Sequence, residues 1–294
     1  MFIYTSTVTN WMMVVCIFLN SEDVYAMICQ LESAAFQPKS QKEYLYIHEW
    51  KGSAYFIKKL FYGLSLTLTC LAPIVGVLQG KTAPLVSYIP PWIHWRVYFW
   101  LQALVSVCNA TMGATYISFL CTMLIEAIIQ VACLKERLQF TEDRRSLVEC
   151  IERYSEITEF TKRLHHICKI GLSAVIVAGV LNTCTTFSLI VKVKFIELAF
   201  LVPYMSCIVA IIYIHCFYGT ILATESEDIP YSLFSSKWIN TDDSHKRTLL
   251  LFMVFSKKQI TIKLVGGTLT MSLPLFVQIM RTAYAYFNVL QSVE

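Results

Sequence analysis

The sequence predicts an all-α protein, a polytopic bundle of transmembrane helices, and three observations carry that reading. Of 294 residues, 56% are hydrophobic and 15% charged, and the mean hydropathy of +0.56 lies far above the range of water-soluble domains. Apolar stretches of about 20 residues, enough to cross a hydrocarbon core of about 30 Å, recur along the chain. Lys and Arg gather in alternate connections between those stretches, as they do when a polytopic protein keeps its basic loops in the cytoplasm.

Six spans are legible in one continuous domain covering residues 1–294: about 2–20, 60–80, 97–134, 170–191, 195–224 and 248–293, with a break near 257–271. The first, FIYTSTVTNWMMVVCIFLN, lacks both the basic leader and the small-residue cleavage site of a secretory signal, so it is read as a true span. The third carries one charge, Glu126, and at about 1.5 Å per residue it is far longer than a bilayer is thick. In the last, Pro274 fits only a first helical turn, and Gly266 and Gly267 precede it, so the final helix is expected to restart near Ser272.

Orientation follows from charge. The connections after the first and third spans and before the last hold Lys39, Lys42, Lys51, Lys58 and Lys59; Lys135, Arg137, Arg144, Arg145, Arg153, Lys162 and Arg163; and Lys237, Lys246, Arg247, Lys257 and Lys258. Those three are expected in the cytoplasm, with the C-terminus extracellular. Six spans then put the first residue outside too, and one further helix upstream, seven in all, is the expectation that removes this oddity. Within residues 147–167, Leu147, Val148, Ile151, Tyr154, Ile157, Phe160, Leu164 and Ile167 recur at helical steps. This predicts that the third and fourth spans run on into a cytoplasmic anchor bundle rather than ending at the membrane.

No enzyme is read here. The 11 cysteines form no CxxC pair, His165 and His166 have no HExxH spacing, and no phosphate-binding glycine loop occurs, so neither metal nor other cofactor is expected. The surroundings expected are membrane lipids, with no nucleic-acid partner.

On a wheel of about 100° per residue, Met271, Leu275, Gln278, Thr282, Ala285 and, at the edge, Val293 share a face with Val289. Leu273, Phe276, Met280, Tyr284 and Phe287 lie opposite, and Arg281 sits roughly 80° away from the first set. That small, mildly polar face suits either a hydrated pore or hydrogen bonding to a neighbouring helix. Arg281 is expected to pair with a carboxylate or carbonyls on an adjacent helix.

The stretch SKWINTDDSHKRTLLLFMVFSKKQITIKLVGGTLTMSLPLFVQIMRTAYAYFNVLQ strongly resembles the C-terminal signature of insect odorant receptors. The likeness rests on Trp238, the KRTLLLFM run, the SKKQITIKLVGG linker, the SLPLF lead-in and RTAYAYF, in the family's order. It covers about a fifth of the chain, and the long third span followed by ECIERYSEITEFTKRL agrees in layout. The resemblance implies a ligand-gated cation channel subunit of the plasma membrane, expected in olfactory neuron dendrites. It also implies a tetramer with a shared co-receptor and a small volatile odorant as ligand. It further implies that the last helix lines the pore, with Gln278, Thr282 and Ala285 on its wall and Val289 and Val293 at an outer constriction. The family's ligand pocket lies in the outer half of the bundle. Candidates there are Thr7 and Trp11 on the first span, Ile74 on the second, and Tyr98, Val105, Asn109, Met112 and Gly113 on the third. Thr185, Phe187 and Tyr204 complete the set. Asn109 is the best polar candidate, because an amide in an apolar span must find a partner.

Rival readings are weaker. An insect gustatory receptor shares the architecture and differs only in the C-terminal wording. A G-protein-coupled receptor is disfavoured by the inverted topology, the absence of an Asn-Pro-x-x-Tyr pattern, and the placement of Glu142-Asp143-Arg144-Arg145 inside a charged helix. A transporter would carry inverted repeats, and none is found.

Overall fold

The computed structural model describes residues 2–78, 91–190, 195–264, 267 and 269–293, with backbone alone for 2–4, 187–190, 195–197 and 290–293. Helices α1 (Phe2–Leu19), α2 (Ser21–Glu32), α3 (Gln41–Leu78), α4 (Trp95–Gln139), α5 (Arg144–Ile190) and α6 (Phe195–Glu227) are followed by α7 (Ile229–Phe234), a short 3-10 turn (Trp238–Asn240), α8 (Asp243–Ser256) and α9 (Leu273–Val293). Four stretches are long and apolar enough to cross a membrane, within Gln41–Leu78, Trp95–Gln139, Arg144–Thr186 and Leu198–Phe234. A fifth is the bent pair Thr5–Leu19 and Ser21–Glu32. The bundle therefore has four to five candidate spans among the described residues, where the sequence reading has six.

The first span differs from expectation. The chain does not leave the bundle after Asn20 but turns by 68° and stays helical to Glu32. Asn20 donates its Nδ2–H to the Cys16 carbonyl at 2.7 Å, so a short polar side chain works on the ladder of the preceding turn where the axis bends.

α4 and α5 are the axis of the molecule. At 45 and 47 residues they are each about 70 Å long, more than twice the thickness of a hydrocarbon core. The amphipathic stretch 147–167 and the fourth span are one unbroken helix. α4 is apolar nearly all round between Ala114 and Leu134 and is buried there by its neighbours. Its first turns instead expose Val97, Trp100, Leu101 and Leu104. On α5, Leu147, Cys150, Ile157, Phe160, Leu164, Ile167 and Cys168 are buried at helical steps. Val148, placed on that stripe by the sequence, is 38% exposed, since it falls about 100° beyond Leu147.

The end of the bundle rich in Lys and Arg is locked by a buried polar network. Glu43 lies in the first turn of α3: its N–H donates to Ser40 Oγ at 3.1 Å, as in a capping box, and its carboxylate accepts from the N–H of Lys39, one residue before the cap, at 2.9 Å. The same carboxylate takes the Arg137 fork, Nε and Nη2 each at 2.7 Å. Arg153, 4% exposed, donates to Gln130 Oε1 at 2.7 Å and to the Ala35 carbonyl, with its guanidinium over the Phe36 ring. The loop between α2 and α3 is thus tied to α4 and α5. Burial pushes the Glu43 carboxyl up, but the Arg137 and Lys39 hydrogen bonds and the charges of Arg137 and Arg153 outweigh it and hold it below its ordinary value. For Arg153, burial first and the Arg137 charge second push the guanidinium down.

Between α8 and α9 the chain makes a small hairpin. Lys263 bridges Thr270, Leu264 N–H donates to Leu269 O and Met271 N–H to Ile262 O, both at 2.9 Å. The turn uses Gly267 at φ +67°, a conformation that side chains with a Cβ disfavour.

Candidate functional site

Five helices, α1 and α3 to α6, surround a cavity of about 250 Å³ at the end of the bundle opposite the basic network. Each contributes one helical face. α3 presents Phe61, Ser65, Leu68, Thr69 and Ala72; α4 presents Val105, Asn109, Gly113 and Ile117; α5 presents Val175, Ala178, Gly179 and Asn182. Two glycines in the lining let neighbouring helices come close at its walls. A Cβ at Gly113 would stand 2.9 Å from Asn10 Oδ1, and one at Gly179 would stand 2.8 Å from Ile212 Cδ1.

The walls are mainly apolar, with a few polar groups held in place. Asn10 on α1 donates from Nδ2 to both the backbone O of Asn109 (2.9 Å) and its Oδ1 (3.1 Å). Thr5 donates to Asn182 Oδ1 at 2.9 Å. The hydroxyls of Thr9, Thr69 and Ser106 donate back to carbonyls of their own helices. A concave, largely apolar space with few oriented polar groups is what a small organic ligand needs.

Of the residues expected from sequence, Thr7, Val105, Asn109, Gly113 and Tyr204 line this cavity. Trp11, Ile74 and Met112 do not; they are exposed on outer helix faces. Trp11 falls just past the edge of the lining face of α1, which runs Ser6, Thr7, Thr9, Asn10, Met13: it lies about 40° beyond Thr7, the outermost of these, and about 100° past Asn10. Tyr98 is half-buried outside the lining, and Thr185 spends its hydroxyl on the Leu181 and Asn182 carbonyls. Phe187 lies outside the residues whose side chains are described. Asn10, Asn182, Ser65, Ser106 and Cys207 line the cavity without having been singled out. Asn182 carried the same signal as Asn109, an amide inside an apolar run.

α9 packs on α5 and α6 through Leu275, Ile279 and Ala283. Gln278, Thr282, Ala285 and Val289 lie on its exposed side; Val293 lies outside the residues whose side chains are described. Leu275, expected with Gln278, turns instead to the protein beside Ile279, because it sits at the border of the two faces. Met271 is not on the helix at all but in the hairpin, buried. Arg281 is exposed on the open side and forms no ion pair among the described residues. The carboxylate pairing expected for it is not made among the described residues.

The family model of the 7tm odorant receptors matches residues 1–284. The chain belongs to this family. As a receptor of that family it is a multi-pass membrane protein and not an enzyme. It is 23% identical to odorant receptor 30a of Drosophila melanogaster over 207 residues, 68% of this chain and 55% of that one. With odorant receptor Or2 of Anopheles gambiae it shares 22% identity over 267 residues, 83% and 67% of the two chains. It thus spans little more than half the length of the first of these relatives. Its fold is similar to that of the olfactory receptor OR5 of Machilis hrabei: TM-score 0.88 at 15% identity, covering 100% of this chain and 80% of that one. The structure of the same receptor in complex with eugenol matches at TM-score 0.88 and 16% identity, over 99% and 80% of the two chains.

Proposed function

We propose that this odorant receptor binds a small volatile ligand in the cavity between α1 and α3 to α6, and that binding gates a cation pore formed with co-receptor subunits in a tetramer. The observation that carries the reading is the cavity itself, mostly apolar and walled by five helices, at the end away from the basic residues. At about 250 Å³ it falls below the 300–1,000 Å³ of drug-sized sites, which fits a volatile molecule. Eugenol in the Machilis receptor is a ligand of this kind. The basic end is read as cytoplasmic by charge, which places the cavity in the outer half and the C-terminus outside.

The open side of α9 supports the pore. Gln278 and Thr282 are exposed in a segment that ends a membrane bundle, and polar side chains there face water or a neighbouring helix. In a tetramer this side lines the pore, with Val289 and Val293 forming the outer constriction that stops ions by dewetting. α8 leaves Leu250, Leu251, Val254 and Phe255 exposed at the basic end, an apolar stripe that fits a subunit contact. The protein is placed in the plasma membrane of olfactory neuron dendrites.

The test is ligand-evoked current in cells expressing the full-length receptor with the co-receptor. The reading expects cation current that needs both chains and survives blockade of G proteins. Current abolished by that blockade would reject it.

A further inference from the structure

The cavity's two best-placed amides each turn the side-chain oxygen to a partner on α1. Asn10 Nδ2 must be the nitrogen, because it lies 2.9 Å from a backbone carbonyl, Asn109 O. The Asn109 side-chain atom 3.1 Å from that nitrogen is therefore its oxygen. Asn10 Oδ1 lies against Gly113, where a Cβ would come within 2.9 Å; it is an acceptor and offers nothing to an acceptor on the ligand. On α5, Asn182 spends its oxygen on the Thr5 hydroxyl at 2.9 Å. What remains of each cavity-lining amide is its NH2 group. Neither nitrogen has a hydrogen-bond partner among the described residues, and neither is among the polar atoms sealed without one, so both keep accessible surface in residues that line the cavity.

From this arrangement we infer that the cavity selects ligands that carry a hydrogen-bond acceptor, of the carbonyl, ester or ether class, over equally shaped hydrocarbons. The inference rests on the cavity being the ligand site, as proposed above, and adds the chemistry that the site reads. An NH2 group without a partner in an apolar cavity keeps its desolvation cost when a hydrocarbon fills the space, and recovers it when an acceptor arrives. The hydroxyls of Thr9, Thr69 and Ser106 do not compete for this role, since their protons are already donated to helix carbonyls. The Thr7 and Ser65 hydroxyls can donate or accept and so do not discriminate. Asn109 and Asn182 thus act as specificity-determining donors, and Asn10 acts through Asn109 by fixing which end of its amide faces the ligand.

The experiment compares a methyl ketone with the alkene in which its carbonyl oxygen is replaced by methylene, a pair matched in shape and differing in the acceptor. Concentration–response curves are recorded for the full-length receptor expressed with its co-receptor. The expected result is a half-maximal concentration about three- to tenfold lower for the ketone, the size of one net hydrogen bond. Asn109→Leu and Asn182→Leu should each shrink that ratio toward one. An alkene as potent as the ketone in the unmodified receptor would overturn the inference, as would variants that shift both probes equally or a receptor that the ketone does not activate. The comparison in the unmodified receptor stands even where a variant fails to reach the cell surface. Ala110→Phe, which fills the cavity, separates the two readings. If it weakens both probes while their ratio is one, the acceptor preference alone falls; if it weakens neither, the cavity is not the ligand site.

Discussion

At the scale of single residues the molecule depends on a few polar groups whose partners lie far away in sequence. Glu43 is the clearest. Its side chain is 1% exposed and forked by Arg137, so Glu43→Gln leaves a guanidinium with a neutral partner and is expected to cost about 3–5 kcal/mol, measured as a lowered midpoint of thermal unfolding in detergent. The sign of its pH dependence follows from the depressed carboxyl. The group adds stability above its ordinary value near 4.5, and that stability drains away as pH falls through the lower folded value. The unfolding midpoint should drop below about pH 4.5 in the unmodified protein and drop less in Glu43→Gln. At the cavity, Gly113→Ala would drive a methyl into Asn10 Oδ1 and is expected to cost about 1–3 kcal/mol in the same melt. Asn109 was legible in sequence because an amide in an apolar span has no water to bond. Its partner was not, since 99 residues separate Asn10 from Asn109 and 177 separate Thr5 from Asn182, and periodicity within one helix says nothing about which face of another meets it.

At the scale of elements, the start of α9 is fixed by α6. The first N–H of α9, at Leu273, donates to Thr220 Oγ1 at 2.8 Å, and Ile260 N–H donates to Ser226 Oγ at 2.9 Å, so two hydroxyls of α6 hold both sides of the hairpin. Gly219 lets the chain come close enough for this; a Cβ there would stand 2.5 Å from the Met271 carbonyl. Thr220→Val, which keeps the shape and removes the acceptor, is expected to cost about 1 kcal/mol. Gly219→Ala meets backbone and should cost more, about 1–3 kcal/mol. A hydrogen-exchange measurement checks both through faster exchange at the first amides of α9. The sequence announced a break here through Pro274 and the glycines, because those residues carry their backbone preference with them. It did not announce the hairpin, whose register depends on packing against α6, nor the bend at Asn20, where an ordinary polar residue sits in an otherwise continuous helical pattern.

At the scale of the whole molecule, two helices far longer than a bilayer is thick join a cavity at one end to a charged, locked base at the other. Composition made the membrane class legible, and the apolar face of residues 147–167 made the extension of α5 legible, because both are properties of the chain taken alone. The count of spans was less so, since a span is defined by what surrounds a helix as much as by its own residues. If α8 is a subunit contact, Val254→Glu places a charge in its exposed apolar stripe and should reduce the tetramer fraction on size-exclusion chromatography while leaving the monomer's helix content unchanged. The central claim, that the five-helix cavity is where the ligand sits, is tested most directly by determining the structure of the full-length receptor bound to an activating ligand. The account predicts ligand density among Asn109, Asn182 and Ala110, with a ligand acceptor atom within hydrogen-bond distance of an asparagine NH2. Density elsewhere in the bundle, with this cavity empty, would contradict it.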